Sequence, residues 1–134
     1  EGAAGLDLFA ATKEDTKIII TPRKAEMIPT GIAISVPSGY EAQIRPRSGL
    51  AAKNGITVLN SPGTIDSDYR GEILVMLINH SNKDFEILRG MRIAQMVISK
   101  IEQFNLISVD ELDTTDRGKD GFGSTGISIE KDEE

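Results

Sequence analysis

Four short segments carry side chains that can do chemistry. The densest is residues 63–72, GTIDSDYRGE, which sets three carboxylates, Tyr69 and Arg70 between two apolar runs. A turn needs its glycines and one aspartate, but not this density of charge. If Asp66 points inward beside a bound phosphate, its carboxylate can take a proton from water, the work of a general base. The plainer reading is a charged turn in which Asp68 pairs with Arg70 or ties off the bend. Two acids two apart on a strand share a face and repel unless a cation or a turn separates them.

The second segment is Pro46-Arg47-Ser48-Gly49, where a strand ends and a helix begins. Unpaired N–H groups at a helix start, the guanidinium of Arg47 and the close approach allowed by Gly49 together suit a phosphate. The same four residues also read as a capped helix with a solvated arginine. Third, Gln95 interrupts an apolar strand in Arg92-Ile93-Ala94-Gln95-Met96, and a polar amide there needs either a core hydrogen bond or a ligand oxygen. The fourth is RGKDGFGSTG, residues 117–126, with four glycines and one aromatic, Phe122. Such a composition fits a disordered linker or a mobile arm with something to hold. It lacks the Gly-Lys-Ser/Thr ending of a P-loop. His80, the single histidine, sits in a turn and is given no role.

The elements that must position these residues read as strands. Isoleucine outnumbers leucine two to one, and β-branched residues suit a pleated, half-buried surface. Ile32, Ile34 and Val36 alternate with small residues, and Tyr40, Ala42 and Ile44 alternate with Glu41, Gln43 and Arg45, so both stretches are expected as strands. Residues 73–78 and 96–98 are continuous apolar runs, the pattern of strands covered on both faces by another sheet or another subunit. Turn clusters such as Pro37-Ser38-Gly39, Ser61-Pro62-Gly63 and Arg89-Gly90 separate them. One short helix is expected, with Ser48 as N-cap, Leu50-Ala51-Ala52-Lys53 as body and Gly55 beyond its end. The whole predicts a compact all-β sandwich or barrel over residues 1–112, followed by a flexible arm over 113–134 with an acidic, solvated end.

A chain of 134 residues fits one domain with a sizeable core. The absence of cysteine excludes disulfides, thiolate nucleophiles and thiolate-bound metals, and a reducing, cytoplasmic compartment fits best. A net charge of -6 argues against nucleic acid as a partner, and no apolar run approaches the length of a membrane span.

Taken together, Ala4-Gly5-Leu6-Asp7-Leu8, Pro46-Arg47-Ser48-Gly49, residues 63–71, Gly90-Met91-Arg92-Ile93-Ala94-Gln95, and Arg117-Gly118 with residues 121–126 resemble, in order and spacing, the five motifs of trimeric deoxyuridine triphosphatases, the dUTPases. The resemblance covers nearly the whole chain. It implies a jelly-roll-like β fold and a homotrimer whose C-terminal arm closes a site formed by neighbouring subunits. The implied reaction is hydrolysis of dUTP to dUMP and pyrophosphate, which supplies the dTMP precursor and keeps uracil out of DNA.

By position, Asp66 matches the family's water-activating aspartate, and Tyr69 would lie beneath the deoxyribose and refuse a 2'-hydroxyl. A hairpin around residues 55–60, with the Asn60 amide, would read the uracil edge, and Thr64, Ile65 and Leu74 would line that pocket. Arg47, Ser48, Gly49 and Gln95 would share the phosphate charge. Phe122 would stack on uracil, while Arg117, Gly123, Ser124 and Thr125 would grip the phosphates. Mg2+ would be held mainly by the substrate phosphates, with Asp7 acting through water. Two alternatives are a dCTP deaminase-like enzyme of the same superfamily, whose second and third motifs read differently, and a non-catalytic nucleotide-binding regulator, which has no need for Asp66.

Overall fold

The computed structural model describes residues 2–121. Among these, nine strands and one helix follow in the order β1 (Leu6–Phe9), β2 (Lys17–Ile20), β3 (Ala25–Pro29), β4 (Tyr40–Arg45), α1 (Ser48–Asn54), β5 (Ile56–Val58), β6 (Gly63–Ile65), β7 (Leu74–Asn79), β8 (Phe85–Leu88) and β9 (Arg92–Lys100). The strand pairs are all antiparallel. They form a four-stranded sheet β1-β9-β4-β6, a three-stranded sheet β3-β7-β5 and a ribbon β2-β8. The all-β expectation with one short helix holds.

Period-two alternation explains how the sheets share one core. Ala42 and Ile44 of β4 and Val75 and Leu77 of β7 face inward and join Leu8, Ile20, Ile28, Ile56, Ile73, Ile87 and Ile93 in a single buried cluster. The continuous apolar run of β7 has a different outcome on its second face. Leu74 is 45% exposed, and across the ladder Met27, opposite Met76, is 59% exposed, so this chain alone leaves that face largely uncovered.

Two local expectations need correction. Residues 32–36 form no strand: Ile32 O accepts from Ile73 N (2.9 Å), but no ladder continues from it. Alternation alone was satisfied there because Val36 turns into the core and Ile34 packs against it, which an extended segment achieves without a paired strand. In α1 the N-cap is Arg47, with extended backbone and no side-chain cap, and Ser48 is the first helical residue. Gly55 ends the helix in the left-handed region (φ 66°), as expected of a C-terminal glycine.

The chain divides into two compact units, Glu1–Gln103 and Phe104–Glu134. The first contains every strand and the helix. The described part of the second holds only turns, such as Gly118 N donating to Thr115 O (3.0 Å), and its Phe104, Leu106, Ile107 and Leu112 are exposed. No helix among the described residues is long and apolar enough to cross a membrane.

Candidate active site

Strand β4 delivers Arg45 and Pro46 to the start of α1, where the extended backbone of Arg47 turns its guanidinium towards β1 and β9. Arg47 Nε lies 3.2 Å from Asp7 Oδ1, and its Nη1 donates to the carbonyl of Arg92 (3.2 Å). Arg92 Nε lies 3.4 Å from the other oxygen, Asp7 Oδ2, and its guanidinium sits 5.7 Å from the centroid of the Phe9 ring. Asp7 therefore stands between two arginines. Gln95, opposite Asp7 in the β1–β9 ladder, donates from Nε2 to Pro46 O (3.0 Å), which answers what its amide does in an apolar strand. A cavity of about 460 Å3 is lined by Asp7, Arg47, Ser48, Gly49 and Gln95 together with Lys53.

Arg92 and Lys53 escaped the sequence reading for different reasons. Lys53 follows Gly49 by four residues, a helical spacing that puts both on one face, so the signal was there to find. Arg92 was hidden by a β-bulge. Leu8 pairs with Ala94 but Phe9 pairs with Arg92, so Ile93 is an extra residue on β9, and Ile93 and Ala94 are consecutively buried. A bulge re-aims the side chains on either side of it. Strict alternation would have sent Arg92 and Gln95 to opposite faces.

The second group is built on β6 and the turn after it. Asp66 O accepts from Tyr69 N (3.1 Å), which closes the turn, and the Tyr69 hydroxyl donates to Glu72 O (3.0 Å). The ring lies so close over Gly71 that any side chain there would collide with it. Arg70 donates from Nη1 to Ser67 O and Tyr69 O (2.8 Å each), and of the two plainer roles open to Asp68 the pairing with Arg70 is not formed among the described residues. A cavity of about 190 Å3 is lined by Thr64, Ile65, Asp66, Tyr69, Glu72 and Leu74, with no lysine or arginine among them. The Asp66 side chain is exposed and makes no ion pair among the described residues.

Ten of the site residues expected from the sequence thus line two cavities with no lining residue in common: Asp7, Arg47, Ser48, Gly49 and Gln95 in one, Thr64, Ile65, Asp66, Tyr69 and Leu74 in the other. Asn60 lines neither; its amide packs over Gly63. The expected hairpin at residues 55–60 is instead a crossing between sheets, since β5 pairs with β7 and β6 with β4. Arg117 lies in the second unit, where its Nε donates to Asp120 O (2.9 Å). Phe122, Gly123, Ser124 and Thr125 lie outside the described residues. Among the described residues no three histidine, aspartate or glutamate side chains gather to hold a metal. A single carboxylate, Asp7, in a cavity that also carries Arg47 and Lys53 fits Mg2+ that arrives on a polyphosphate and keeps its waters, rather than an ion in an all-protein cage.

A family model described as dUTPase matches residues 1–126. The chain is 57% identical over 127 residues to the deoxyuridine 5'-triphosphate nucleotidohydrolase of Rhizobium rhizogenes, covering 95% of this chain and 81% of the relative. It is 59% identical over 126 residues to the enzyme of that name from Orientia tsutsugamushi, covering 94% and 84%. A solved dUTPase mutant of Staphylococcus bacteriophage 80alpha with dUpNHpp superposes with a TM-score of 0.83 at 26% identity, covering 95% of this chain and 88% of that one. The β architecture described above is accordingly the jelly roll of those proteins. Strands, motifs and relatives agree, and the chain belongs to the dUTPase family.

Proposed function

We propose that the chain hydrolyses dUTP to dUMP and pyrophosphate, with water activated by Asp66 attacking the α-phosphorus. One observation carries this reading: the cavity that holds the Asp66 carboxylate is lined by the Tyr69 ring, Ile65 and Leu74 and is free of basic side chains, which suits a nucleoside, while a separate cavity with Arg47, Lys53, Ser48 and Gln95 suits a triphosphate.

In this reading Asp66 accepts the proton of the attacking water and meets the 3'-hydroxyl of the sugar. Tyr69 lies under the deoxyribose, where a 2'-hydroxyl has no room. Arg47, Ser48, Gly49 and Gln95 take up charge that grows on the phosphate oxygens, each such donor contributing about 3 kcal/mol to the barrier lowering. Mg2+, when bound, would supply neutralisation of the phosphate oxygens, and Asp7 would help hold it through water.

The two half-sites become one site if the nucleoside half of one subunit meets the phosphate half of another, which is the role of the homotrimer. The uncovered face of the β3-β7-β5 sheet supports such a seam. It carries Met27, Met76 and Leu59, and it also carries Leu74, which belongs to the nucleoside cavity. Residues 113–134 act as the arm, with Phe122 as lid over the base and Arg117, Ser124 and Thr125 on the phosphates; Asn60 reads the uracil edge.

Pyrophosphate release from dUTP, compared with dTTP, dCTP and UTP, each with and without Mg2+, tests the proposal. Release from dUTP alone, raised by Mg2+, is expected. Ammonia from dCTP would instead point to a deaminase, and binding without turnover would point to a regulator.

A further inference from the structure

Glu72 lies in the Asp66 cavity, yet nothing in the proposed chemistry uses it. Its place in the fold is specific. The loop after β3 and the segment entering β7 are joined by three hydrogen bonds: Thr30 Oγ1 to Ile73 O (2.6 Å), Ile73 N to Ile32 O (2.9 Å) and Gly31 N to the carboxylate of Glu72 (2.8 Å). Only the last of these depends on an exposed side chain. Gly31 adopts φ +70°, and an added Cβ would press on Ala11 at 3.1 Å, so its N–H is aimed by a backbone turn that few other residues can take. The same Glu72 then offers its own carbonyl to the Tyr69 hydroxyl (3.0 Å) while the ring packs over Gly71. Side chain, backbone and ring form one relay: Gly31 fixes Glu72, and Glu72 fixes Tyr69.

We infer that Glu72 is a positioning residue whose carboxylate, anchored on Gly31, holds the Tyr69 ring flat and thereby sets the discrimination between deoxyribose and ribose. This rests on the reading that Tyr69 lies beneath the sugar. With the anchor gone, the segment at residues 71–72 loses its tie to the β3 loop and the ring gains room to tilt. Tilting opens space for a 2'-hydroxyl. A ground-state gate of this kind acts on the choice of substrate more than on the turnover of the correct one.

The test compares Glu72→Ala, Glu72→Gln and Tyr69→Phe. The glutamine keeps an acceptor oxygen for the Gly31 N–H, whereas the alanine has none. Glu72→Ala is expected to raise the ratio of kcat/KM for UTP over dUTP by about fivefold, the scale of one lost hydrogen bond. Glu72→Gln should stay at the wild-type ratio. Tyr69→Phe removes the hydroxyl end of the same relay and should raise the ratio similarly, with no further rise when combined with Glu72→Ala.

A readout independent of catalysis exists because the chain has two tyrosines and no tryptophan. In a Tyr40→Phe background, quenching of Tyr69 fluorescence by a neutral quencher should increase in Glu72→Ala and not in Glu72→Gln. Unchanged quenching in Glu72→Ala overturns the inference, whatever the substrate. So does a lowered Tm with an unmoved substrate ratio, or a Glu72→Gln variant that behaves as alanine. If wild-type protein releases no pyrophosphate from dUTP, the proposed function fails, while the quenching result still decides whether Glu72 positions Tyr69.

Discussion

Gly5 passes directly beside Gln95: a methyl group at Gly5 would stand 2.5 Å from Gln95 Oε1 and 3.4 Å from its Cβ. This contact, together with the bond from Gln95 Nε2 to Pro46 O, fixes the amide between β1 and the start of α1. Gly5→Ala must therefore push the amide away, because the nearest atom, Oε1, is the far end of a flexible side chain that yields more readily than the backbone does. A misplacement of about 1 Å at a phosphate-binding group can cost about a hundredfold in rate. We expect Gly5→Ala to lower kcat/KM for dUTP by tenfold to about a hundredfold with the oligomeric state and far-UV circular dichroism unchanged; steady-state kinetics beside size-exclusion chromatography checks it.

The sharing of Asp7 between Arg47 and Arg92 predicts unequal effects of removing either arginine. Arg47 lines the cavity proposed for the phosphates and also donates to the carbonyl of Arg92, whereas among the described residues the Arg92 side chain reaches only Asp7 and the Phe9 ring. Arg47→Met should cost about a hundredfold in kcat/KM, the scale of one lost charge-stabilising donor. Arg92→Met leaves Asp7 one partner, and as the side chain is 58% exposed its stability cost should stay within about 1 kcal/mol. Equal losses of activity in the two variants would remove Arg47 from the phosphate site.

Asp66→Asn should abolish turnover while dUTP still binds, since the amide keeps the shape of the carboxylate but cannot take the proton. Activity above about a tenth of wild type would remove Asp66 from its role. Calorimetric titration of dUTP into the variant measures the retained binding.

Deletion of every residue after Asp116 should leave a folded protein of unchanged oligomeric state that is nearly inactive. If sites are shared between subunits as proposed, mixing that truncation with Asp66→Asn chains should restore part of the activity, one chain supplying the arm and the other the carboxylate. No recovery on mixing, after subunit exchange is verified by mass spectrometry, would mean that each chain completes its own site.

Stability at the far end of the β7 strand rests on Asn79. Its side chain is fully buried and satisfied: Nδ2 donates to Ile20 O and Lys83 O (2.7 Å each), and Oδ1 accepts from Ser81 N (2.9 Å) and Ser81 Oγ (2.7 Å). Asn79→Ala strands the buried carbonyl of Ile20 and frees the turn beyond β7. We expect a loss of about 2–4 kcal/mol by denaturant unfolding with the activity of the remaining folded protein intact.

The order of the motifs, the strand alternation of β4, the apolar run of β7 and the left-handed glycine after α1 were legible in the chain because each depends on neighbours in sequence. So was the family. What escaped were relations set by partners far along the chain. Residues 32–36 carry a strand's alternation but find no ladder, and Gln95 could not announce that its donor goes to Pro46. The extra residue in β9 that brings Arg92 round to Asp7 exists only because β1 skips Ile93. The sequence alone determined which side chains were available, through their chemistry and local periodicity. Only the tertiary structure decided that they divide into two cavities on one chain, because the register between strands is fixed by long-range hydrogen bonds and core packing rather than by any local residue pattern.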